Sequence, residues 1–345
     1  MKTARASTLI AATLLLSAPG GASATACRVK QFSHGITHGQ LEGIAAAPDG
    51  NMWFTEAGGT GAIGRITPAG QITEFTAGLT QGAPQGIVAG PDGNMWFTEA
   101  GGDGAIGRIT PAGEITEFTQ GLSPANSPAG ITAGPDGNLW FTEDGDAGTI
   151  GRITPEGTIT EFTAGTGEAS GITQGAPEGI AAGPDGNLWF TEGRGAGAVA
   201  RITATGTVTE FPSGGPTTEI TAGPEGSMWF TEPSGRIGRM TTSGRVRTFS
   251  RGITKNSVPR GIASGPDGNL WFTEERPAGS SSGAVARMTP RGQVTEFSFG
   301  PNLLPWDIAA GPGRTIWFTE FRGRIGRIAA GCRPAHRRHR PSKRK

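Results

Sequence analysis

Seven copies of Trp-Phe-Thr-Glu begin at Trp53, Trp96, Trp140, Trp189, Trp229, Trp271 and Trp317, spaced 40–49 residues apart. They predict an all-β fold, a seven-bladed β-propeller of four-stranded antiparallel blades. Two further observations carry the same reading. Each copy sits among four short runs rich in β-branched and aromatic residues, separated by Asp-Gly or Pro-x-Gly turns. No stretch after the first 26 residues has a helical apolar period long enough to compete.

The second repeat shows the elements in order. Residues 86–90 (GIVAG) read as the innermost strand, and Pro91-Asp92-Gly93-Asn94 as a tight turn. Met95 to Glu99 form the second strand. A glycine-rich loop leads to a third strand, Ala105 to Thr110, and Pro111-Ala112-Gly113 turns the chain into a fourth at residues 114–118. One such meander cannot bury both of its faces, so it must stack on neighbours around an axis. The repeated Trp is the natural wedge between blades, since an indole buries roughly 150–250 Å². The repeated Arg of the third strand (Arg65, Arg108, Arg152, Arg201, Arg239, Arg287, Arg327) reads as scaffold, because it recurs in all seven units.

The two ends of the chain complete each other. The seventh repeat stops after its third strand, and residues 28–33 align with residues 71–76 as the missing fourth. The N-terminal strand is therefore expected to close the last blade. Cys27 and Cys332 then both fall where Gly70 stands in the first repeat, which predicts a disulfide in an oxidising compartment. The expected organisation is a signal peptide at 1–26, the propeller at 27–332 and a basic disordered tail at 333–345. The leader has a basic start, an apolar core from Leu9 to Leu16 and small residues before Cys27, so the protein is expected to be secreted or extracytoplasmic. Acylation of Cys27, giving a lipoprotein, is the alternative.

Composition bounds the partners. The 60 glycines and 25 prolines would suggest disorder without the period, but here they are turns. Lys and Arg number 30 against 29 Asp and Glu, and seven of the basic residues lie beyond Cys332, leaving an acidic ring. No nucleic-acid partner is expected of such a ring, no segment is long enough to span a membrane, and a closed ring is expected to be a monomer. The tail reads as a solvated segment, with anionic cell-surface polymers as its other possible partner.

Function should be written on the variable face, where blades connect. At the start of the innermost strand the repeats read Glu42, Gln85, Ala129, Glu178, Glu219, Arg260 and Trp306 followed by Asp307. These should surround one mouth of the channel. Glu56, Glu99, Glu143, Glu192, Glu232, Glu274 and Glu320, which end the second strands, are expected to add carboxylates to that mouth. Oxygen donors so grouped suit Mg²⁺ or Ca²⁺. The bland alternative is that each repeated Glu caps a backbone donor or pairs with the repeated Arg. Arg260 and Trp306 beside carboxylates suit an anionic or aromatic group.

Gly-Pro-Asp-Gly-Asn-Leu-Trp-Phe-Thr-Glu, at residues 134–143 and 183–192, together with Ile-Gly-Arg-Ile-Thr, at 106–110 and 150–154, resembles the virginiamycin B lyase family. The resemblance covers about residues 28–330. It implies a seven-bladed propeller and an elimination that opens a cyclic depsipeptide, with a histidine base and Mg²⁺ on the ester carbonyl. It further implies histidines just before Gly-Ile in two late neighbouring blades and a metal-binding Glu from Trp-Phe-Thr-Glu. Here those late positions read Glu219 and Arg260, or Arg260 and Trp306, and no histidine occurs at any of the seven. Glu232 and Glu274 are the corresponding metal candidates.

Three functions follow. One is a secreted binding propeller taking a small molecule, peptide or protein on its carboxylate-rich face, through Gln85, Arg260, Trp306 and Asp307. A second is a Mg²⁺-dependent carbon–oxygen lyase with Glu42, Glu178 or Glu219 as base, or His38 as a displaced base beside Glu42. The third, lactone hydrolysis, is disfavoured by the number of repeats.

Overall fold

The computed structural model of the chain describes residues 27–124, 126–145, 148–163, 172, 176–276, 283–297, 299 and 303–332. The expected leader and basic tail lie outside the described residues. Twenty-eight strands form seven four-stranded antiparallel sheets, blades I to VII. Blade I runs outward through Leu41–Ala46, Met52–Glu56, Ala62–Ile66 and Ile72–Phe75, and the later blades repeat the order. No helix among the described residues is long and apolar enough to cross a membrane.

Each residue of the repeated tetrapeptide has its own task. The Trp is essentially unexposed in every blade and enters the core of the next one. Trp53 packs on Ile87, Met95, Phe97 and Ile109 of blade II. Its outer face stacks on Phe75 at 5.5 Å, and Arg65 lies over both rings. Arg65 then donates to the carbonyl of Pro111 in the next blade at 2.9 Å, and Arg108, Arg152, Arg287 and Arg327 make the same inter-blade strap, while Arg201 and Arg239 face Asp185 and Glu225 of their own blades. This excludes it as the partner of the repeated Glu. The Phe lies flat across the third strand: a Cβ on Gly107 would sit 2.0 Å from the Phe97 ring, which is why that position is glycine.

The Thr links inner strands. Thr55 accepts the N–H of Gly43 at 2.8 Å and donates to the carbonyl of Gln85 in the next blade at 2.5 Å. Thr98, Thr142, Thr191, Thr273 and Thr319 make the equivalent donation, the last to the carbonyl of Glu42.

The ring closes as the alignment of its ends required. Lys30–Phe32 pairs antiparallel with the third strand of blade VII, Lys30 opposite Arg327. Phe32 stacks on Trp317 at 5.6 Å, the role Phe75 plays for Trp53. Cys27 and Cys332 form a disulfide across the cut turn.

Candidate functional site

In six blades the innermost strand breaks register just before its central Ile, as between Leu41 and Ile44 or Pro84 and Ile87. The resulting bulge opposes one residue with two and re-aims a side chain. The re-aimed residue is the one before glycine, and its carbonyl is held by the Thr of the preceding blade. The sequence thereby turns a strand start into a ring of axial side chains.

That ring surrounds a cavity of about 380 Å³. Glu42, Gln85, Glu178, Glu219, Arg260, Trp306 and Asp307 all line it, so these seven expected residues do come together. The register corrects one of them. Glu219 directly precedes Ile220, and its N–H donates to Thr231 as that of Gly43 does to Thr55. Glu219 therefore occupies the glycine slot of blade V, with Thr218 before it. Asp307 fills the same slot in blade VII, its N–H donating to Thr319. Two of the axial glycines are thus replaced by acids.

The acids perturb one another. Enclosure by the ring pushes Glu42 up to about 7; the Trp306 indole bonds it and lowers it, Asp307 raises it and Arg260 lowers it. Glu178 is likewise raised to about 7 by burial and by Asp144, against Arg260 and Arg194. Enclosure, then repulsion by Asp307 and Glu178, lifts Glu219 to about 8. Because the Glu219 side chain is open to the cavity, the two neighbouring charges are the cause that persists once the channel is hydrated. Burial raises Asp307 to about 6, opposed by the N–H groups of Ile44 and Ile308.

Arg260 is the one cation lining the cavity among the described residues. It lies 4.4 Å over the Trp306 ring and makes a two-pronged contact with Glu275, at 2.7 and 3.0 Å. Asp144 in blade III, which lines the cavity, and Glu275 in blade VI are functional neighbours that the sequence reading missed. Both are acids placed directly after Trp-Phe-Thr-Glu, and that was the available signal.

Three expectations are corrected. The strand-end Glu residues do not enrich the mouth: all seven are fully buried, none lines the cavity, and they hold the loops instead. Glu56 accepts the N–H groups of His38 and Gly39, and Glu99 that of Gly82. Secondly, the metal candidates do not fit a cation at the cavity. Glu232 is held by Arg236 at 2.5 Å and by Ser234, while Glu274 is bonded by Ser257 at 2.8 Å and faces Glu296. Thirdly, His38 is not beside Glu42. It lies outside the axial cavity, on the loop into blade I, with its ring 3.6 Å from Glu74.

Six of the strand-end Glu residues are neutralised in one of two ways. In blades I, II, III and VI it faces a second Glu from the fourth strand: Glu74, Glu117, Glu161 or Glu296. Burial and then that neighbouring charge push Glu99 and Glu143 up to about 8 and Glu274 to about 7. In blades V and VII the fourth-strand residue is Thr248 or Gln31, and Arg236 or Arg324 supplies the neutralising charge.

The sequence profile of the virginiamycin B lyase family matches residues 21–175 and 169–337. Among solved structures, virginiamycin B lyase from Staphylococcus aureus is 32% identical, with 88% of this chain and 99% of that one covered at a TM-score of 0.77. A catalytically inactive histidine-to-alanine variant of the same enzyme, with quinupristin, is 32% identical at 0.76. A streptogramin B lyase is 30% identical, with 88% and 97% covered, at 0.76. No curated protein sequence matches. The chain carries four histidines, and neither of the two in the described residues, His34 and His38, lines the cavity.

Proposed function

The chain belongs to the virginiamycin B lyase family, and from that premise we propose that it is an exported member which binds a ligand in its axial cavity without the family's histidine-based elimination. One observation carries this. The positions before the axial glycine slot in the last three blades are Thr218, Arg260 and Trp306, and none can act as a neutral-pH imidazole base. A relative of the same fold is inactive with one histidine replaced.

The lining favours a small molecule or peptide end with both a planar and a cationic part. Trp306, backed by Arg260, offers a flat face, and Glu42, Glu178, Glu219 and Asp307 offer acceptors that gain charge when a cation enters. Export is supported by the Cys27–Cys332 disulfide and by the leader-like first 26 residues. A protein or peptide partner on this face and a monomeric state belong to the same reading.

A second reading rests on the raised carboxyls. Glu178 at about 7 and Glu219 at about 8 lie in the range where a carboxylate can remove a proton α to a carbonyl, so a carbon–oxygen lyase with a carboxylate base is the alternative. Mg²⁺ would supply polarisation of the ester carbonyl in such an enzyme. Glu232, held by Arg236, and Glu274, bonded by Ser257, do not fit it at this cavity.

Incubation with quinupristin, followed by chromatography and mass analysis, separates the two. Recovery of intact cyclic compound supports the binding reading. A linear product of unchanged mass establishes elimination and overturns it.

A further inference from the structure

Blade I carries a cluster that no other described blade repeats. Glu56 is fully buried; its Oε2 accepts the N–H groups of His38 at 3.1 Å and Gly39 at 3.0 Å, while its Oε1 receives no donor from the protein. Glu74, from the fourth strand of the same blade, accepts the N–H of Thr37 at 2.6 Å and its hydroxyl at 2.5 Å. The His38 ring closes the third side, and one donor atom from each of the three residues lies within 4.8 Å of the others. Two facing carboxyl groups with no donor between them need a proton or a cation. Four further blades carry both acids in sequence, but the residue in the place of His38 is Gln81, Pro124, Gln174 or Lys255, and Arg276 already neutralises Glu296 at 3.2 Å in blade VI.

We propose that His38, Glu56 and Glu74 bind a divalent transition cation, Zn²⁺ by donor type, at the loop that leads into blade I. One imidazole nitrogen and two carboxylate oxygens are donors Zn²⁺ accepts at about 2.0–2.2 Å, with further positions open to solvent. The three donors must draw slightly together. His38 has the freedom to do so, since its side chain is 24% exposed. An open cleft beside it, bordered by Gly58, Gly59 and Phe321, gives access from solvent. The site is separate from the axial cavity, so its metal would fasten the N-terminal segment to blade I rather than serve the cavity chemistry.

The test is calorimetric titration of the disulfide-intact protein with Zn²⁺, with melting temperature read in parallel. One equivalent is expected for the unmodified chain. His38→Gln is expected to weaken that equivalent by about tenfold or more, while leaving the zinc-free melting temperature unchanged, because Gln81 fills the same place in blade II. Gln81→His, which completes the equivalent set on Glu99 and Glu117, is expected to add a second equivalent. His34, His336 and His339 are retained in both variants, so binding by them cannot imitate the difference. Absence of zinc binding, equal affinity in His38→Gln, or a single equivalent in Gln81→His would each overturn the proposal.

Discussion

Asp307 and Ile44 lie 263 residues apart in sequence, yet the Asp307 carboxylate accepts the Ile44 N–H at 2.9 Å. This bond joins the last blade to the first at the level of the axial cavity. Its acceptor is the acid that replaces a glycine.

Asp307→Asn keeps an oxygen for Ile44 and should leave stability nearly unchanged. Asp307→Ala leaves a part-buried N–H without its acceptor and is expected to cost about 1–3 kcal/mol. Urea unfolding of the two variants checks this, and equal losses would mean that charge rather than the hydrogen bond matters at the seam.

The disulfide spans 305 residues of sequence. Constraining so long a loop lowers the entropy of the unfolded chain, and its loss is expected to cost about 2–5 kcal/mol. The Cys27→Ser, Cys332→Ser double variant, unfolded in guanidinium beside the parent, measures it. The folded ring should persist in the variant, because Phe32 on Trp317 and the pairing of Lys30 with Arg327 hold the strand without the bond.

The buried acid pairs set the pH dependence. Glu99 titrates at about 8 when folded against 4.5 as its unperturbed value. Between those values the unfolded chain has lost a proton that the folded chain keeps. The contribution is therefore complete below 4.5 and is lost as pH rises towards 8, with Glu143 acting in the same sense. Asp92, Asp136 and Asp185, held low by hydrogen bonds from Asn and Trp despite partial burial, contribute in the opposite sense, and that stability is lost as pH falls through the acid range. The melting temperature should thus peak at about pH 4–5 and decline towards pH 8. Glu99→Gln retains an acceptor for Gly82 and a donor for Glu117, and should flatten that decline. An unchanged slope would mean the pair is ionised in the fold.

Close approach of the inner strands makes glycine necessary in blade II. A Cβ on Gly86 would stand 2.6 Å from the Ala129 carbonyl oxygen. Gly86→Ala is expected to destabilise by about 1–3 kcal/mol, read as a lower denaturant midpoint. By contrast Glu219→Gln, in the equivalent slot of blade V, should leave the midpoint unchanged or raised. A comparable loss in Glu219→Gln would show that the fold draws stability from the carboxyl group of Glu219 itself.

Arg260 holds down the carboxyls of Glu42 and Glu178. Arg260→Ala should raise both, seen by NMR titration of the side-chain carboxyls, without loss of folding. It should also free Trp306 from its 4.4 Å cation contact.

The architecture was legible in the order of the amino acids. Trp-Phe-Thr-Glu at a regular period, turn chemistry between short strands and a fourth strand missing from one end and present at the other are local signals. A repeat fold is the sum of local units and their nearest neighbours. The same logic placed Cys27 against Cys332 and gathered Glu42, Gln85, Glu178, Arg260, Trp306 and Asp307 at one mouth. Where side chains point depended on the folded chain. Glu219 stands in a glycine slot with Thr218 before it because Ile220 pairs with Phe230 as Ile44 does with Phe54, a match that counting back from Ile220 also shows. Burial removed Glu232 and Glu274 from the cavity, although their position at strand ends on the correct face looked favourable. His38 met Glu56 and Glu74 rather than Glu42 because the loop into blade I runs across the ends of the second and fourth strands of its own sheet, a contact set by three dimensions and not by spacing along the chain.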